Sequence, residues 1–206
     1  GMAAAGVFIG IVSFAGLIGG MIGGALADRF GRRGVTIFGL TSSALAALSL
    51  VMVNNLSQLY WLAIPLGLLG HIAGPAHQAM VADLLPEQDR AEGYGILRVA
   101  ANLSWLIGPT VGGFLADRSF SILFVFDAII SLATAAIVYF WLPETYATAA
   151  TRSHGAGILS TLAGYRVVAT DVLFVSFCAA SLLIWGAYQQ VYTTLAVFLR
   201  DFRGVS

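Results

Sequence analysis

The feature that most constrains this chain is a series of six long apolar runs. Each has about the twenty residues that a helix needs to cross the ~30 Å hydrocarbon core of a bilayer. The runs occupy residues 3–27, 35–53, 59–82, 95–116, 120–142 and 171–199. With 59% hydrophobic and 10% charged residues, the chain has too few polar side chains to cover six such helices in water. The sequence therefore predicts an all-α membrane protein with six transmembrane helices.

Charge and cysteine usage narrow the classes of function. Ten arginines and no lysine balance ten acidic residues, so no basic surface for nucleic acid is expected. The single cysteine, Cys178, supplies neither a disulfide framework nor a zinc-ligand spacing. Because no catalytic motif of an intramembrane enzyme is present either, we expect no metal, no cofactor and no enzymatic activity. No basic stretch precedes the first run, which favours a processed chain or an internal fragment over a cleaved signal peptide.

The placement of arginine between the runs predicts the orientation in the membrane. Cytoplasmic loops are richer in Arg and Lys than the loops on the other side. If the first run ends in the cytoplasm, six arginines lie in inside loops and three lie outside. The inside set is Arg29, Arg32, Arg33, Arg90, Arg152 and Arg166, and the outside set is Arg118, Arg200 and Arg203. The loops 28–34 and 143–170 are therefore predicted to be cytoplasmic.

Two similar strings suggest an internal repeat. Residues 23–31 read "GGALADRFG" and residues 112–119 read "GGFLADRS", with six of the first seven positions identical. The strings end the first and the fourth run, and an offset of three spans puts equivalent helix ends on opposite sides of the membrane. This is the pattern of an inverted three-helix repeat, a common architecture in secondary transporters. Chance similarity between two helix ends is the alternative.

The first string continues into a loop with the residues of a conformational latch. Gly31 and Gly34 permit a tight turn. Asp28 is predicted at a helix C-terminus, where the macrodipole disfavours an anion, so it needs a basic partner. The available partners are Arg29, Arg32 and Arg33. Asp83, at the end of the third run, is a second acid, and such an acid–Arg–acid cluster can form in one conformation and break in another. A plain positive-inside loop is the alternative.

The fourth run combines small residues with polar ones. Its packing surface is predicted at Gly108, Pro109, Gly112 and Gly113, where small side chains let helices approach closely and proline favours a kink. Arg98 and Asn102 recur at helical spacing and share one face. Arg98 either snorkels towards the cytoplasm, where Glu92 is a partner, or lines a cavity. Asn102 lies deeper and is the better cavity-lining residue.

Other polar side chains lie inside the runs and suggest further cavity positions. Asp127 is about two turns into the fifth run, and it is either a proton carrier or a structural hydrogen-bonded acid. His71 and Gln78 are seven residues apart, on one face of a continuous helix, and are predicted to line a cavity. His71 and His77 diverge on such a helix, which disfavours a metal site. In the last run, Tyr188, Gln189, Gln190 and Tyr192 suit a broad, mostly apolar ligand, with interhelical packing as the alternative.

These motifs resemble the major facilitator superfamily. "GGALADRFGRR" resembles the signature loop between the second and third helices of that family, and "SWLIGPTVGGFL" is similar to the fifth-helix motif of its proton-coupled antiporters, multidrug exporters above all. "FWLPET" and "TTLAVFLRDFRGVS" resemble the sequences of this family at the ends of the sixth and seventh helices. The resemblance assigns Gly24, Asp28, Arg29, Gly31 and Arg32 to the loop motif, Asp83 to its acidic partner, and Gly108, Pro109, Gly112 and Gly113 to the antiporter motif. Ser104 and Leu66 depart from it, standing where a glycine and an arginine are usual.

The resemblance also implies a domain organisation and a function. Residues 1–142 would be a partial N-terminal half, 143–170 the cytoplasmic loop between halves, and 171–206 the first helix of the second half. The chain then looks like helices two to seven of twelve. The implied function is proton-coupled efflux of small amphiphilic compounds across a bacterial inner membrane. The implied partners are the lipid bilayer, a small-molecule substrate, protons and the missing helices. An uptake permease of the same superfamily, or a dimerising six-helix protein, is the alternative.

Overall fold

The computed structural model describes residues 2–145 and 170–203, with the side chains of residues 4–145 and 170–188. The described residues are helical apart from short connections. The helices are α1 (Met2–Phe30), α2 (Arg32–Leu50), α3 (Leu56–Gly70), α4 (Ala73–Leu84), α5 (Arg90–Arg118), α6 (Phe120–Trp141) and α7 (Val172–Arg203), and Glu87–Asp89 form one 3-10 turn. The chain forms two compact units, Gly1–His154 and Gly155–Ser206, which are described separately.

Helix length and composition agree with the predicted membrane class. Within the described residues, five helical segments are long and apolar enough to cross a bilayer. They are Ala4–Phe30, Arg32–Leu50, Leu56–Leu84, Glu87–Arg118 and Phe120–Trp141. The all-helical prediction is therefore confirmed, and five of the six predicted spans have a matching helix. The sixth crossing stays a prediction, because the described side chains of α7 cover only the apolar stretch Val172–Tyr188.

The third apolar run, predicted as one continuous helix, is divided in two. α3 ends at Gly70 and α4 begins at Ala73, so His71 and Ile72 lie between two helices. Pro75 explains this correction: it has no N–H to donate to the carbonyl of His71, four residues earlier, and its ring crowds that carbonyl. In the first turn of a new helix the missing donor is tolerated. The Ile72 amide bonds instead to the Leu69 carbonyl, at 3.4 Å.

The connections between helices use local capping groups. At the start of α3, the Asn55 side chain accepts from the Gln58 amide at 2.8 Å, while the Gln58 side chain accepts from the Asn54 amide at 2.9 Å. This pair resembles a capping box, except that Gln58 binds the amide of the residue before the N-cap Asn55. At the start of α6, Ser119 Oγ accepts from the Ser121 amide at 3.2 Å. Each of these helices is therefore capped by residues next to its own first turn.

Small residues set the packing of the first unit. α1 crosses the α3–α4 segment so closely that a Cβ at Gly19 or Gly23 would collide with the backbone of Leu68 or Ile72. Such close approach is how helices associate in membranes, where burial of apolar surface against lipid gains little. A cluster of fully buried side chains lies beside this crossing: Ala27, Val35, Ile72 and Ala76. α2 packs on α3, α4 and α6.

α5 and α7 are much less covered. α5 contacts α4 and α6 but has no buried residue along its 29 positions. In the second unit, the carboxylate of Asp171 caps α7 by accepting from the amides of Leu173 and Phe174, at 2.9 and 3.1 Å. Most of the predicted inter-half loop, 143–170, lies outside the described residues. The predicted division of the chain into a partial half, a loop and a first helix therefore stays a prediction.

Candidate functional site

The junction between α1 and α2 is a one-residue turn at Gly31. Its φ and ψ are 97° and 146°, and Gly31 alone among the described residues has a positive φ. This region of backbone space is essentially restricted to glycine. The Gly31 amide still bonds to the Ala27 carbonyl at 3.2 Å, and the Gly31 carbonyl accepts from the Val35 amide at 3.3 Å. The turn therefore ends α1 and starts α2 without a loop, and it fixes where Arg32 points.

Arg32 connects the start of α2 to the end of α4. Its Nη1 donates to the Ala79 carbonyl at 2.8 Å and forms an ion pair with the Asp83 carboxylate. The two side chains are 15% and 19% exposed, so the pair is screened only partly by solvent. Asp83 is one residue from the end of α4, where the helix dipole disfavours an anion. The arginine offsets that unfavourable position, which is the pairing that the charge pattern predicts for these two residues.

Glu144 caps α2 from a distant part of the chain. Its Oε1 accepts from the backbone amides of Arg32 at 3.0 Å and Arg33 at 3.4 Å, across 112 and 111 residues. Gly31, the residue before α2, has no side chain to serve as a cap. Moreover, a Cβ on Gly31 would lie 2.8 Å from Glu144 Oε2, so only glycine leaves room for this carboxylate. An anion at the positive end of a helix dipole is stabilising.

Sequence reasoning missed Glu144. The string "FWLPET" resembles sequences of the family, but this resemblance predicts no role for Glu144. A signal was present, because α2 starts after a glycine and has no Ser, Thr, Asp or Asn of its own at the cap position. That signal predicts a cap from elsewhere in the chain. It does not identify which of the ten acidic residues supplies it.

Arg33 joins α2 to the end of α6. Its Nη2 donates to the Tyr139 carbonyl, and its guanidinium lies 5.2 Å from the centre of the Tyr139 ring, within cation–π range. The Nε atom of Arg33 is buried and has no hydrogen-bond partner in the described part of the chain. Together, Arg32, Arg33 and Glu144 tie the first turn of α2 to both α4 and the end of α6.

The remaining residues of the predicted latch lie apart from this cluster. Asp28 is exposed near the end of α1 and makes no hydrogen bond or ion pair with the residues that the structure describes. Arg29 stacks on its neighbour Phe30, with 5.4 Å between the guanidinium carbon and the ring centre. Gly24 packs towards Pro75, whose Cβ would be 3.8 Å from an added Cβ. The structure thus holds the Arg32–Asp83 half of the predicted acid–Arg–acid cluster.

The residues predicted on the fourth run all lie on α5. Pro109 is accommodated within the helix without ending it. Gly112 approaches Leu123 of α6, with 3.9 Å between an added Cβ and Leu123 Cδ1, while the positions of Gly108 and Gly113 face open space. Arg98 and Asn102 are exposed, and among residues 2–145 no ion pair joins Arg98 to Glu92. The structure therefore leaves this face of α5 uncovered, away from the α1–α2 junction.

The other predicted cavity residues are dispersed. The Nδ1 of His71 lies 2.9 Å from the Gly67 carbonyl, and the ring rests against Gly16 of α1. Gln78 is exposed on α4, beyond the break in the third span, so the continuous helix on which His71 and Gln78 were predicted to share a face is absent. Pro75 is the physical reason for that break. Asp127 is exposed on α6.

Only part of the predicted set on the last run falls within the described side chains. Tyr188 packs edge-on against Trp185, with 6.1 Å between the ring centres. Gln189, Gln190 and Tyr192 lie outside the described side chains. The described residues contain no group of three or more His, Cys, Asp or Glu side chains placed to hold a metal ion.

Comparison with known proteins assigns the chain to a family. The model of the Major Facilitator Superfamily matches residues 1–206. A Na(+), Li(+), K(+)/H(+) antiporter of Planococcus maritimus is 27% identical over 98% of the chain and 50% of its own length. The class B tetracycline resistance protein of Escherichia coli is 31% identical over 59% of the chain and 30% of its own length. Multidrug resistance protein 2 of Bacillus subtilis is 30% identical over 68% of the chain and 35% of its own length.

The chain spans half or less of the length of these relatives. The family match nevertheless covers every residue, and it agrees with the membrane-length helices. It confirms the resemblance carried by the sequence motifs, and this family consists of transporters rather than enzymes. The chain is an integral membrane protein that belongs to the Major Facilitator Superfamily.

Proposed function

We propose that the protein is a secondary active transporter that exports small amphiphilic compounds in exchange for protons. The antiporter-like motif on α5 supports the direction of transport. The names of the relatives support the exchange, since one is a cation/proton antiporter and others are named for tetracycline or multidrug resistance. In this proposal the α1–α2 junction and the end of α4 lie on the cytoplasmic side, as the arginine distribution predicts.

The observation that carries the proposal is the Arg32–Asp83 ion pair between the ends of two helices. Because the pair is charge-assisted and partly shielded, it stabilises the conformation in which it forms. Because neither side chain is fully buried, both charges can reach water when the helices separate, so breaking the pair does not leave a buried charge. A contact of this kind suits a carrier that alternates between two states. We assign the role of latch to this pair, with Gly24, Asp28, Arg29 and Gly31 as the rest of its motif.

The uncovered face of α5 supports an organic substrate. Arg98 and Asn102 are exposed there among large apolar side chains, including Leu106, which is 71% exposed. A few polar groups within an apolar wall are typical of sites for drug-sized ligands. In this proposal the rest of the transporter completes the site against this face. Its substrate is accordingly a compound with both apolar and polar or charged parts.

A second candidate function is exchange of inorganic cations for protons. The observation that favours it is the antiporter of Planococcus maritimus, which aligns with 98% of the chain. Against it, Asp127 is the sole carboxylate well inside the described spans, whereas the other acids of α1–α6 lie near helix ends. A hard cation needs several oxygen ligands. One interior carboxylate fits an organic substrate better than a bare metal ion.

The two functions are separated by proton movement in inside-out membrane vesicles. The vesicles carry the protein in its full encoded length, are acidified inside by respiration, and report internal pH through a quenched dye. An exporter releases internal protons when its substrate is added outside. We expect ethidium, tetracycline or a quinolone to restore fluorescence, and NaCl or KCl to have no effect.

Matched variants connect this assay to the latch. Arg32→Gln should abolish most of the response, whereas Arg118→Gln, which removes the arginine that ends the other repeat string, should leave it intact. A response to Na⁺ or K⁺ alone would favour the second candidate. If no probe gave a response and right-side-out vesicles showed proton-driven uptake, the protein would be an uptake permease and not an exporter.

A further inference from the structure

The break in the third span lies at the midpoint of that candidate span. The candidate span Leu56–Leu84 has its midpoint at about residue 70, next to His71, and the span Ala4–Phe30 has its midpoint at about residue 17, next to Gly16. His71 and Gly16 are in contact, so the midpoints of the two spans lie at the same level along the helix bundle. Irregular backbone at this depth is tolerated where it is buried in protein or lines a cavity. In transporters, discontinuous helices at the midplane form substrate and ion sites.

The hydrogen bond of His71 fixes the state of its ring. Nδ1 lies 2.9 Å from the Gly67 carbonyl, and because a carbonyl can only accept, Nδ1 carries the hydrogen in this contact. In the neutral ring, Nε2 then keeps a lone pair. Within the described residues Nε2 has no hydrogen-bond partner. His71 is therefore held in the tautomer that leaves Nε2 as a proton acceptor.

The ring is held in place by its surroundings as well as by this bond. A Cβ at Gly16 would be 2.7 Å from Nδ1 and 2.8 Å from Cε1 of His71, so the absence of a side chain on α1 makes the space for the ring. The bond to Gly67 replaces part of the hydrogen bonding that the broken helix loses at its end. His71 as a residue remains exposed on the unit, so the described helices do not enclose it.

On the helices that pack against the α3–α4 segment, the charged side chain nearest this depth is Arg98 of α5, roughly 7 Å along the helix from the midpoint of the span Glu87–Arg118. The titratable or charged side chains of these elements lie towards the helix ends or on another turn: Asp28, Arg29, Arg32, Arg33, Tyr60, His77, Asp83, Arg90, Glu92, Tyr94, Arg98, Asp117 and Arg118. None of them bonds to His71 within the described residues. Asp28 is twelve residues beyond Gly16 on α1, which is about 18 Å along a helix. A proton on His71 therefore adds one positive charge at a ring that no described carboxylate contacts through a hydrogen bond or ion pair.

We propose that His71 is a proton-binding site of the transporter, with Nε2 as the atom that binds the proton. The proposal rests on the proposed function and specifies where the exchanged proton sits. A proton from water forms the Nε2–H bond while the Nδ1–H bond to the Gly67 carbonyl stays in place. On release, the Nε2–H bond breaks and the proton returns to water. Because an imidazolium and an organic cation repel each other at low local dielectric, the site favours exchange of the proton for a lipophilic monocation.

A direct test uses nitrogen NMR of the full encoded protein in nanodiscs with ¹⁵N-labelled histidine. His71→Asn identifies the His71 signals, and His77→Asn identifies those of the second histidine on this span. We expect a neutral ring with the hydrogen on Nδ1, and protonation of Nε2 when the sample is acidified. A neutral ring with the hydrogen on Nε2, or a ring that does not take up a proton in acidified samples that still transport, would overturn the proposal.

A transport test separates proton coupling from structure. Asparagine places an N–H near the position of Nδ1, so His71→Asn keeps a donor for Gly67 but cannot bind a proton. In proteoliposomes, we expect proton-driven ethidium transport to fall at least tenfold in His71→Asn. Ethidium exchange without a pH gradient should stay within twofold, and His77→Asn should match the unmodified protein in both assays.

Two results would count against the site. Proton-driven transport at an unchanged rate in His71→Asn would contradict it, and so would equal losses of driven transport and exchange, which indicate a structural role. If the unmodified protein moved no ethidium, tetracycline or quinolone, the proposed function would fail instead. The NMR titration would still decide whether His71 binds the proton.

Discussion

The α1–α2 and α5–α6 junctions follow nearly identical sequences but differ in structure. Both are preceded by Gly-Gly-x-Leu-Ala-Asp-Arg. At the first, Gly31 turns the chain, Arg32 pairs with Asp83 of α4, and Glu144 caps α2. At the second, Ser119 caps α6 locally, and the Arg118 guanidinium lies 4.7 Å from the centre of the Phe114 ring in its own helix. Among the residues described, the second junction has no ion pair.

The comparison shows that the residues common to both strings do not make the contacts between helices. Asp28 and Asp117 occupy the same place in the two strings, and both are exposed without an ion pair in the described part of the chain. Arg29 and Arg118 both stack on a phenylalanine of their own helix. The contacts between helices come from Gly31, Arg32 and Arg33, which follow the seven shared positions at the first junction and have no counterpart at the second. The shared residues thus lie at the end of an apolar helix. The residues that follow them at the first junction connect that helix end to α4 and to the end of α6.

The largest effect on stability is expected for Gly31→Ala. Alanine at this backbone conformation costs on the order of 1–3 kcal/mol, and its Cβ would also displace Glu144 from the first turn of α2. Gly34→Ala is the matched control, because a Cβ there meets nothing within 4 Å. In thermal unfolding followed by tryptophan fluorescence, Gly31→Ala should lower the midpoint. Gly34→Ala should be neutral or stabilising by up to about 1 kcal/mol. Equal effects of the two substitutions would show that the turn does not need glycine.

Arg32→Gln is expected to reduce proton-linked efflux at least tenfold. It leaves the partly buried Asp83 carboxylate without its cation near a helix C-terminus, where the dipole is also unfavourable. A tenfold change in rate corresponds to about 1.4 kcal/mol in the barrier. The control is Arg118→Gln, whose cation contacts only a neighbouring ring, and it should stay within twofold. If both variants lost activity equally, the arginines would act through loop charge rather than through the pair.

A smaller effect is expected for Glu144→Gln. The amide oxygen still accepts from the amides of Arg32 and Arg33, but the charge at the helix dipole is lost, worth about 0.3–1 kcal/mol at an exposed site. The comparison variant is Asp117→Asn, which removes an acid from the C-terminus of α5 and should be neutral or slightly stabilising. Chemical unfolding of both variants measures the difference. A Glu144→Gln protein as stable as the unmodified one at low salt would exclude a charge role for the cap.

The sequence predicted features that depend on nearby residues or on charge, and it did not predict one contact between residues far apart along the chain. The spans follow from the length of each apolar run, and the pairing of Arg32 with Asp83 was anticipated from two opposite charges at predicted helix ends. The break at His71 was missed even though Pro75 signals it, because the apolar run continues through the break. Glu144 could not be assigned as the cap of α2, since 112 residues separate it from Arg32 and only packing of α6 on α2 brings them together.

The central claim is that Arg32 and Asp83 act as one unit, and a double-mutant cycle tests it most directly. Proton-coupled efflux of ethidium is measured for Arg32→Gln, Asp83→Asn and the double variant, and for Asp117→Asn with Arg118→Gln at the other junction. We expect the double variant at the first junction to be as active as the less active of the two single variants. The coupling free energy between Arg32 and Asp83 is then about 0.5–3 kcal/mol. At the second junction, all three variants should stay within twofold of the unmodified protein. Losses that multiply at the first junction, or equal coupling at both, would contradict the account.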